Sequence, residues 1–470
     1  MPIPRLITRT MAAGAVAALL SMSAILSAGP VSAVAATGGW AKINSGTTQN
    51  LYSVAVQQTC ATSCILTVPT EVWAVGAGGT IVRSSDSGAH FAAIASGTTQ
   101  DLFGIGFVDS CTAPSSQARS SNPHATTAGT CIYVAGANGT LRVSTNDGAN
   151  WCDVNQDAGA VRLGGHFVPD SGTTEIAGAA GTVLFGGDSS QVCPNPPSGA
   201  AFKKQATGDT HNLFSDAFAS SFRWQVGDAG TILGERVAQP GSTCNPGQTG
   251  MGQFDRQNSG TTADLRGVDG GRQGDVFVVG KAGTIIHTSF KGATDYTDGV
   301  QCAPISATWA GQQSGTTNDL NDIASFGASN LPGPTNNFVV GNAGTILQST
   351  DNKSWTSHVS GVCVNLNSVA MGVTNSDGAV TLTSAYAVGD GGTILRYDPA
   401  AASATATSCA TSSQAPASVA PKLPAAGQPS GPGFAGAWVM AALWATAAAG
   451  LGLAARQALR HRRSVQARER

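Results

Sequence analysis

The sequence predicts an all-β protein: a seven-bladed β-propeller closed by its N-terminal strand and followed by one C-terminal transmembrane helix. A short phrase, Val/Ala-Gly-x-x-Gly-Thr-Ile/Leu/Val, returns seven times, and its spacings of 60, 42, 49, 53, 61 and 48 residues suit four-stranded blades with variable loops. A second phrase, Ser-Gly-Thr-Thr-x-x-Leu, keeps the same period. The first glycines of the seven copies are Gly76, Gly136, Gly178, Gly227, Gly280, Gly341 and Gly389.

Each leucine of the second phrase is predicted to open the innermost strand of a blade. The run after Leu51 carries small or apolar residues on both faces, with Ser53 on the face of Leu51 and Val54 on the other, as expected for a strand packed between two blades. The run that ends in the first glycine of the first phrase is the second strand. Gly-x-x-Gly turns the chain because glycine accepts φ > 0, and Thr-Ile begins the third strand. The leucines are Leu51, Leu102, Leu265 and Leu320, with weaker copies at Leu163, Leu213 and Leu366.

An aromatic residue marks the fourth strand of the first six blades. No aromatic follows Tyr397 in the seventh unit, whereas Trp40 precedes the first innermost strand and has no unit of its own. We therefore predict that the strand from Trp40 to Ile43 completes the last blade, which leaves no sheet edge exposed. The six marker residues are Phe91, Trp151, Phe202, Phe254, Trp309 and Trp355.

Three blades carry a Ser-x-Asp-x-Gly-x-x-aromatic turn between the third and fourth strands. Ser84, Asp86, Gly88 and Phe91 form the full version. The second copy, with Asn for Asp, lies at 144–151, and a copy one residue shorter lies at 349–355. The motif resembles the Asp-box of bacterial neuraminidases. Because it recurs blade by blade, we interpret it as a structural turn in which the Asp or Asn accepts backbone hydrogen bonds.

The two ends of the chain predict export and anchoring. Residues 1–36 read as a secretory signal peptide, with Arg5 and Arg9 before an apolar stretch, and the propeller then spans 37–398. Residues 399–433 form a stalk rich in Ala, Ser, Pro and Gly. The uncharged segment 434–455 is long enough to cross a bilayer, and the basic tail 456–470 is expected to remain cytoplasmic.

The stalk contains a pentapeptide that resembles a cell-wall sorting signal. Its position before an apolar helix and an arginine-rich tail is that of the Leu-Pro-x-Thr-Gly signal of Gram-positive bacteria, which implies sortase as a partner. The fourth position differs, since Ala426 stands where the family has Thr, so cleavage by sortase stays open. Surface display through the helix is expected either way. The pentapeptide is Leu423, Pro424, Ala425, Ala426 and Gly427.

Ten cysteines, none in Cys-x-x-Cys spacing, indicate disulfide bonds in an oxidising exterior rather than a zinc site. Our predicted connectivity pairs neighbours in chain order, although sequence alone does not fix the pairing. The cysteines are Cys60, Cys64, Cys111, Cys131, Cys152, Cys193, Cys244, Cys302, Cys363 and Cys409.

The exported part of the chain is acidic. Without the two arginines of the signal peptide and the six arginines and Glu469 of the tail, the chain has 17 basic and 26 acidic residues, a net charge near −9. This charge argues against nucleic acid and against anionic lipid headgroups as partners.

Residues 40–397 resemble the propeller family of photosystem II assembly and stability factors. The shared repeat motifs are Val-Gly-x-x-Gly-Thr-Ile, a Ser-x-Asp-Gly-Gly-x-x-Trp turn and a segment like Ser-Gly-Thr. The resemblance implies a non-catalytic propeller that holds other proteins during assembly. Arginines are few and scattered here, so a patch like that of the family is hard to assemble, and the tail indicates a Gram-positive surface. The fold and the binding character are carried over, and no functional residues.

Catalytic and metal chemistry find little support in the residues. A sialidase needs an arginine cluster and a Tyr activated by Glu, whereas the exported chain has only Glu71, Glu175 and Glu235. Its histidines lack metal-binding spacing. The tyrosines are Tyr52, Tyr133, Tyr296, Tyr386 and Tyr397, and the histidines considered are His90, His124, His166, His211, His287 and His358.

The sequence therefore predicts a non-catalytic cell-surface propeller, without cofactor or metal site, that binds or scaffolds a protein partner. The alternatives are a module that binds cell-wall glycan and a sialidase-like hydrolase. The insertions Val108–Thr130 and Gln239–Gly252 are either contact loops for a partner or loops without a binding role. The partner, the face that binds it, and calcium binding in turns such as 146–148 stay open.

Overall fold

The computed structural model describes residues 38–61, 66–108, 125–126, 131–165, 168–170, 173–186, 202–219, 222–236, 253–270, 275–289, 307–326, 335–376 and 379–401. The predicted signal peptide, sorting-like motif, transmembrane segment and tail lie outside these residues, so they stay predictions, as do the domain boundaries. Among the described residues, no helix is long and apolar enough to cross a membrane.

The strands of the first four blades follow the predicted order, each blade being an antiparallel sheet. The chain enters through β1 (Gly39–Ile43). Blade 1 has β2 (Leu51–Ala61), β3 (Leu66–Gly76), β4 (Ile81–Ser84) and β5 (Ala92–Ile94). Blade 2 has β6 (Leu102–Val108), β8 (Cys131–Gly136), β9 (Leu141–Ser144) and β10 (Cys152–Asp153), with β7 (Ala125–Thr126) before β8. Blade 3 has β11 (Val168–Asp170), β12 (Thr173–Gly178), β13 (Thr182–Gly186) and β14 (Phe202–Ala206). Blade 4 has β15 (Leu213–Ala219), β16 (Phe222–Gly227), β17 (Ile232–Arg236) and β18 (Gln253–Arg256).

The remaining blades repeat this order, and β1 completes the last of them. Blade 5 has β19 (Leu265–Gly270), β20 (Asp275–Gly280), β21 (Thr284–Ser289) and β22 (Ala310–Gln312). Blade 6 has β23 (Leu320–Phe326), β24 (Asn336–Gly341), β25 (Ile346–Ser349) and β26 (Thr356–Ser357). Blade 7 has β27 (Leu366–Ser376), β28 (Ala379–Gly389) and β29 (Thr393–Asp398), and β1 pairs with β29. The all-β seven-bladed propeller is confirmed.

The N-terminal strand closes the ring as predicted. Trp40 lies opposite Tyr397 in the β1–β29 ladder and is only 4% exposed. Its indole packs edge-on against Phe338 of blade 6, with ring centroids 5.5 Å apart. The strand therefore joins blade 7 through backbone hydrogen bonds and also reaches the core beneath blade 6.

Blade 3 departs from the prediction at its innermost strand. Leu163 forms only an isolated bridge with Gly178, and regular pairing resumes at β11. Two glycines follow Leu163, and Gly165 has φ +115, a conformation outside the β region. The strand is interrupted because Gly165 leaves the extended conformation.

The core is divided among the contacts between neighbouring blades. Seven apolar clusters lie within the described residues, one at each of the seven interfaces of the ring. The cluster between blades 3 and 4 is small, with only Ala177, Val183, Leu213 and Leu233 as its buried members. This interface is filled instead by the polar residues described below.

The first glycine of each Gly-x-x-Gly turn is required for a reason that we did not predict. Gly76 has φ −169, which is extended backbone, and the left-handed residues are Gly78 and Gly79. A Cβ at Gly76 would lie 1.9 Å from the carbonyl oxygen of Asn50. The first glycine thus allows close approach to the innermost strand, and the positive φ belongs to the third and fourth positions of the turn.

Candidate functional site

The antiparallel blades place two kinds of connection at opposite ends of the propeller. The Gly-x-x-Gly turns and the entries to the innermost strands lie at one end, here called the turn end. The hairpins between first and second strands and the Asp-box turns lie at the other, the loop end. The strands that flank the two predicted contact loops meet them at the loop end, but Gln239–Gly252 lies wholly, and Val108–Thr130 largely, outside the described residues.

A β-bulge recurs in the innermost strand of six blades, one residue after the leucine. Each bulge leaves one residue out of the ladder and re-aims its side chain. All six side chains are partly exposed at the turn end. They are Tyr52, Phe103, Phe214, Arg266, Asn321 and Asn367, and we call them the bulge ring.

The bulge also corrects the predicted alternation of the innermost strand. We expected Leu51 to share a face with Ser53, whereas Leu51 packs with Val54 and Val56 in the cluster between blades 7 and 1. The extra residue at position 52 shifts the register, so the leucine changes face relative to the rest of the strand.

The bulge ring is aromatic on one side. The rings of Tyr52 and Phe103 lie 5.3 Å apart between centroids. In blade 3 the ring position is Gly164, where a Cβ would come within 2.7 Å of the Cβ of Phe103. The guanidinium of Arg162 lies 4.4 Å over the Phe103 ring and 5.9 Å from the Phe214 ring. Blades 1 to 4 therefore present aromatic surface with one cation.

The other side of the bulge ring is polar and internally bonded. Arg266 forms an ion pair with Asp319 at 3.2 Å and donates to Asn321. Asn321 and Asn367 donate to backbone carbonyl oxygens of the next innermost strand, each at 2.8 Å. These side chains therefore tie blades 5, 6, 7 and 1 together at the turn end.

A second ring of hydrogen bonds joins neighbouring blades beside the bulge ring. In six blades the residue before the leucine is Asn or Asp, and its side chain accepts from a left-handed residue in the turn of the preceding blade, at 2.8 to 3.3 Å. Blade 3 has Arg162 at this position, and a guanidinium cannot accept. The acceptors are Asn50, Asp101, Asn212, Asp264, Asp319 and Asn365.

The Asp-box residues form the predicted structural turns at the loop end. The Oδ1 of Asp86 accepts from the backbone N–H of His90 at 2.9 Å and from the hydroxyl of Ser84 at 2.8 Å. Asn146 accepts in the same way from Asn150 N–H, and Asp351 from Ser354 N–H. Each carboxylate or amide is thus occupied by its own turn.

Few of the predicted disulfide and sorting-motif residues have side chains that the structure describes. Cys131, Cys152 and Cys363 are disulfide-bonded. The disulfide pairing stays a prediction, because the side chains of the other seven cysteines lie outside the described residues. The sorting-like motif also lies wholly outside them. Of the residues weighed for sialidase chemistry, Glu71 accepts from Arg83 and from the indole of Trp73, and the hydroxyl of Tyr386 donates to Ser87 O.

A buried charged cluster, which we did not predict from the sequence, fills the interface between blades 3 and 4. Arg223 lies 3.1 Å from Glu235 and 3.5 Å from Glu175, and all three residues are at most 3% exposed. Gln225 also donates to Glu175, and Asp216 is fully buried beside them. The signal was the polar alternation of Arg223 and Gln225 in β16, because no other second strand is polar at both positions.

Burial and the neighbouring Glu235 raise the pKa of Glu175 well above 4.5, against the opposing effect of Arg223, while Asp216 raises it further. The folded chain therefore keeps a proton on Glu175 that the unfolded chain releases near pH 4.5. A buried acid of this kind, closed off from solvent, has no access to a substrate.

Stability is expected to fall as the pH rises because of Glu175. Its favourable contribution is complete below pH 4.5 and is lost as the pH rises through the raised folded-state pKa. Denaturant unfolding between pH 4.5 and about 8 should show a smaller fall for Glu175→Gln than for the native chain. Asp153→Asn, at a carboxylate that is 84% exposed, is the control. Equal falls in the native chain and Glu175→Gln would contradict the expectation.

Comparison with known proteins identifies the fold. No protein-family model and no curated protein matches the chain. Among solved structures, it is similar to YCF48 from Cyanidioschyzon merolae, with 12% identity, a TM-score of 0.51 and coverage of 77% of this chain and 99% of that one.

Two other solved structures are also similar to this chain. YCF48 bound to D1 peptide is 15% identical, with a TM-score of 0.48 and coverage of 76% and 96%. Selenomethionine-substituted virginiamycin B lyase from Staphylococcus aureus is 10% identical, with a TM-score of 0.49 and coverage of 77% and 99%. The first likeness shows that the chain has a β-propeller fold like that of YCF48, and identities this low carry no residue roles.

Proposed function

We propose that this propeller is a non-catalytic module that binds or scaffolds a protein partner through the bulge ring at its turn end. One observation carries the proposal: the same bulge in six blades turns six side chains out of the ladder and leaves them partly exposed around the axis. Bulges that recur at one end of a ring re-aim side chains without being needed for the ladder.

The chemistry of the ring suits a protein partner. Tyr52, Phe103 and Phe214 supply aromatic surface beside Arg162, and aromatic and arginine side chains dominate protein-binding hot spots. The polar side is held rigid by its own hydrogen bonds, so little side-chain entropy is lost on binding. We propose no catalytic role, because the buried acids between blades 3 and 4 are closed off from a ligand.

We further propose that the module is displayed outside the cell. The signal peptide, the apolar segment 434–455 and the basic tail support export with the propeller outside. The sorting-like motif supports wall attachment if sortase accepts Ala426, and the helix anchors the chain if it does not.

Proximity labelling tests both proposals. A peroxidase inserted in the stalk, used on living cells with a membrane-impermeant biotin-phenol, should label a reproducible set of proteins. Phe214→Ser should reduce their recovery about tenfold or more, because it removes an aromatic contact from the bulge ring. Phe218→Ser is the matched control: Phe218 lies at the loop end of the same strand and is 45% exposed.

Two results would argue against the proposals. Equal recovery with Phe214→Ser and with the native chain would remove the bulge ring as the contact surface. Labelling confined to wall polymer, with no reproducible protein, would favour a glycan-binding module, and the absence of any labelling outside the cell would contradict display.

A further inference from the structure

Of the seven arginines with described side chains, only Arg162 and Arg396 have no carboxylate partner within the described residues. Five arginines with described side chains lie within 3.5 Å of a carboxylate. Arg162 instead lies against aromatic rings, and its Nη1 is buried without a hydrogen-bond partner among the described residues. The five paired arginines are Arg83, Arg142, Arg223, Arg256 and Arg266.

The place of Arg162 in the repeat makes this arrangement specific to blade 3. Six blades use Asn or Asp at this position to accept a hydrogen bond from the preceding turn, and Arg162 cannot. Gly164, two residues later, carries no side chain at the ring position. The guanidinium lies there instead, between Phe103 of blade 2 and Phe214 of blade 4.

Leaving the buried guanidinium of Arg162 without a hydrogen-bond acceptor costs free energy. Burial lowers the pKa of Arg162 to about 10, and no carboxylate among the described residues opposes that effect. A buried donor without an acceptor is unfavourable, and more so when it is charged. Arg162 remains partly exposed as a residue although its Nη1 is buried, so a ligand approaches the exposed part of the side chain and reaches Nη1 only if a neighbouring side chain moves.

We propose that Arg162 binds a carboxylate of the protein partner, with an apolar group of the partner against Phe103 and Phe214. The inference rests on the proposed function and adds the chemical class that the site recognises. Burial raises the pKa of Tyr52, and the carboxylates of Asp101 and Asp390 raise it further, so two negative charges lie near this part of the ring. A singly charged carboxylate is therefore favoured over a doubly charged phosphate.

Small probes test the inference on the purified full-length chain. N-acetylphenylalanine carries one carboxylate beside an aromatic ring, and N-acetylphenylalaninamide is the same molecule without the charge. We expect the acid to bind at least about tenfold more tightly than the amide in ligand-observed NMR titrations. Arg162→Asn should remove this preference. It should also fold, because asparagine at this position caps the turn in blades 4, 7 and 1.

Controls separate a lost contact from a lost fold or a lost charge. Lys353→Asn removes one exposed cation at the loop end and should leave the preference for the acid unchanged. Arg162→Gln, compared by thermal melting, is the second variant if Arg162→Asn does not fold. A third probe, N-acetylphenylalanyl-aspartamide, offers only a side-chain carboxylate. Binding of this probe supports an Asp or Glu side chain as the natural group, and its rejection in favour of the acid supports a chain terminus.

The outcomes distinguish this inference from the proposed function. Equal binding of acid and amide by the native chain, or an unchanged preference in Arg162→Asn, would overturn the carboxylate site. Loss of partner labelling in Phe214→Ser would still support the bulge ring in that case. Loss of the preference in Arg162→Asn, with the preference retained in Lys353→Asn, would support the site.

Discussion

A chain that begins at Asn44 is expected to lose the cooperative thermal transition of the propeller, whereas one that begins at Gly38 should keep it. The shorter chain lacks β1, whose five residues all pair with β29. It also lacks Trp40, which contacts Phe338 and Tyr397 in the core. Loss of a buried Trp alone costs about 3–5 kcal/mol.

The lost pairing adds to this cost and exposes an open sheet edge, against a total stability of about 5–15 kcal/mol for a typical domain. Differential scanning calorimetry of the two chains measures the effect, and Trp40→Ala isolates the side-chain part. A transition of the Asn44 chain within a few degrees of the Gly38 chain would show that the ring closes without β1.

Gly280→Ala is expected to destabilise the propeller by about 3 kcal/mol or more, at the upper end of what overpacking costs. A Cβ at Gly280 would lie 2.2 Å from the carbonyl oxygen of Asp264. That oxygen accepts a hydrogen bond from Lys281 N–H at 2.9 Å, so the clash also breaks the anchor between the turn and the innermost strand. Neither backbone segment has a flexible end that can yield.

The matched control lies two residues away in the same turn. Ala282 has φ +54, a left-handed conformation that costs alanine about 1–2 kcal/mol and glycine little. Ala282→Gly should therefore leave stability unchanged or raise it by about 1 kcal/mol, after the entropy lost by glycine is counted. Urea unfolding of both variants decides the matter. If Gly280→Ala were no worse than the native chain, close approach would not explain the first glycine.

Much of the fold was accessible from sequence because its signals are local. Each Gly-x-x-Gly turn and each Asp-box is defined by residues a few positions apart, and repetition makes these motifs recognisable. The position of Trp40 before the first repeat is recognisable for the same reason. The innermost strands were predicted to begin at the leucines, and six do. The bulge escaped prediction because strict alternation is the default pattern for a strand, and one extra residue reverses it.

The sequence by itself determined the number of blades, the order of their strands and the closing strand, because each depends on short-range patterns repeated along the chain. Only the tertiary structure decided which side chains share an interface. Glu175 and Gln225 are 50 residues apart and meet because blades 3 and 4 are neighbours in the ring. Arg162 likewise reaches Phe103 and Phe214 from the blade between them, and that packing gives it no carboxylate partner in the part of the chain that the structure describes. Contacts between blades depend on how the closed ring turns each sheet, and no local pattern carries that information.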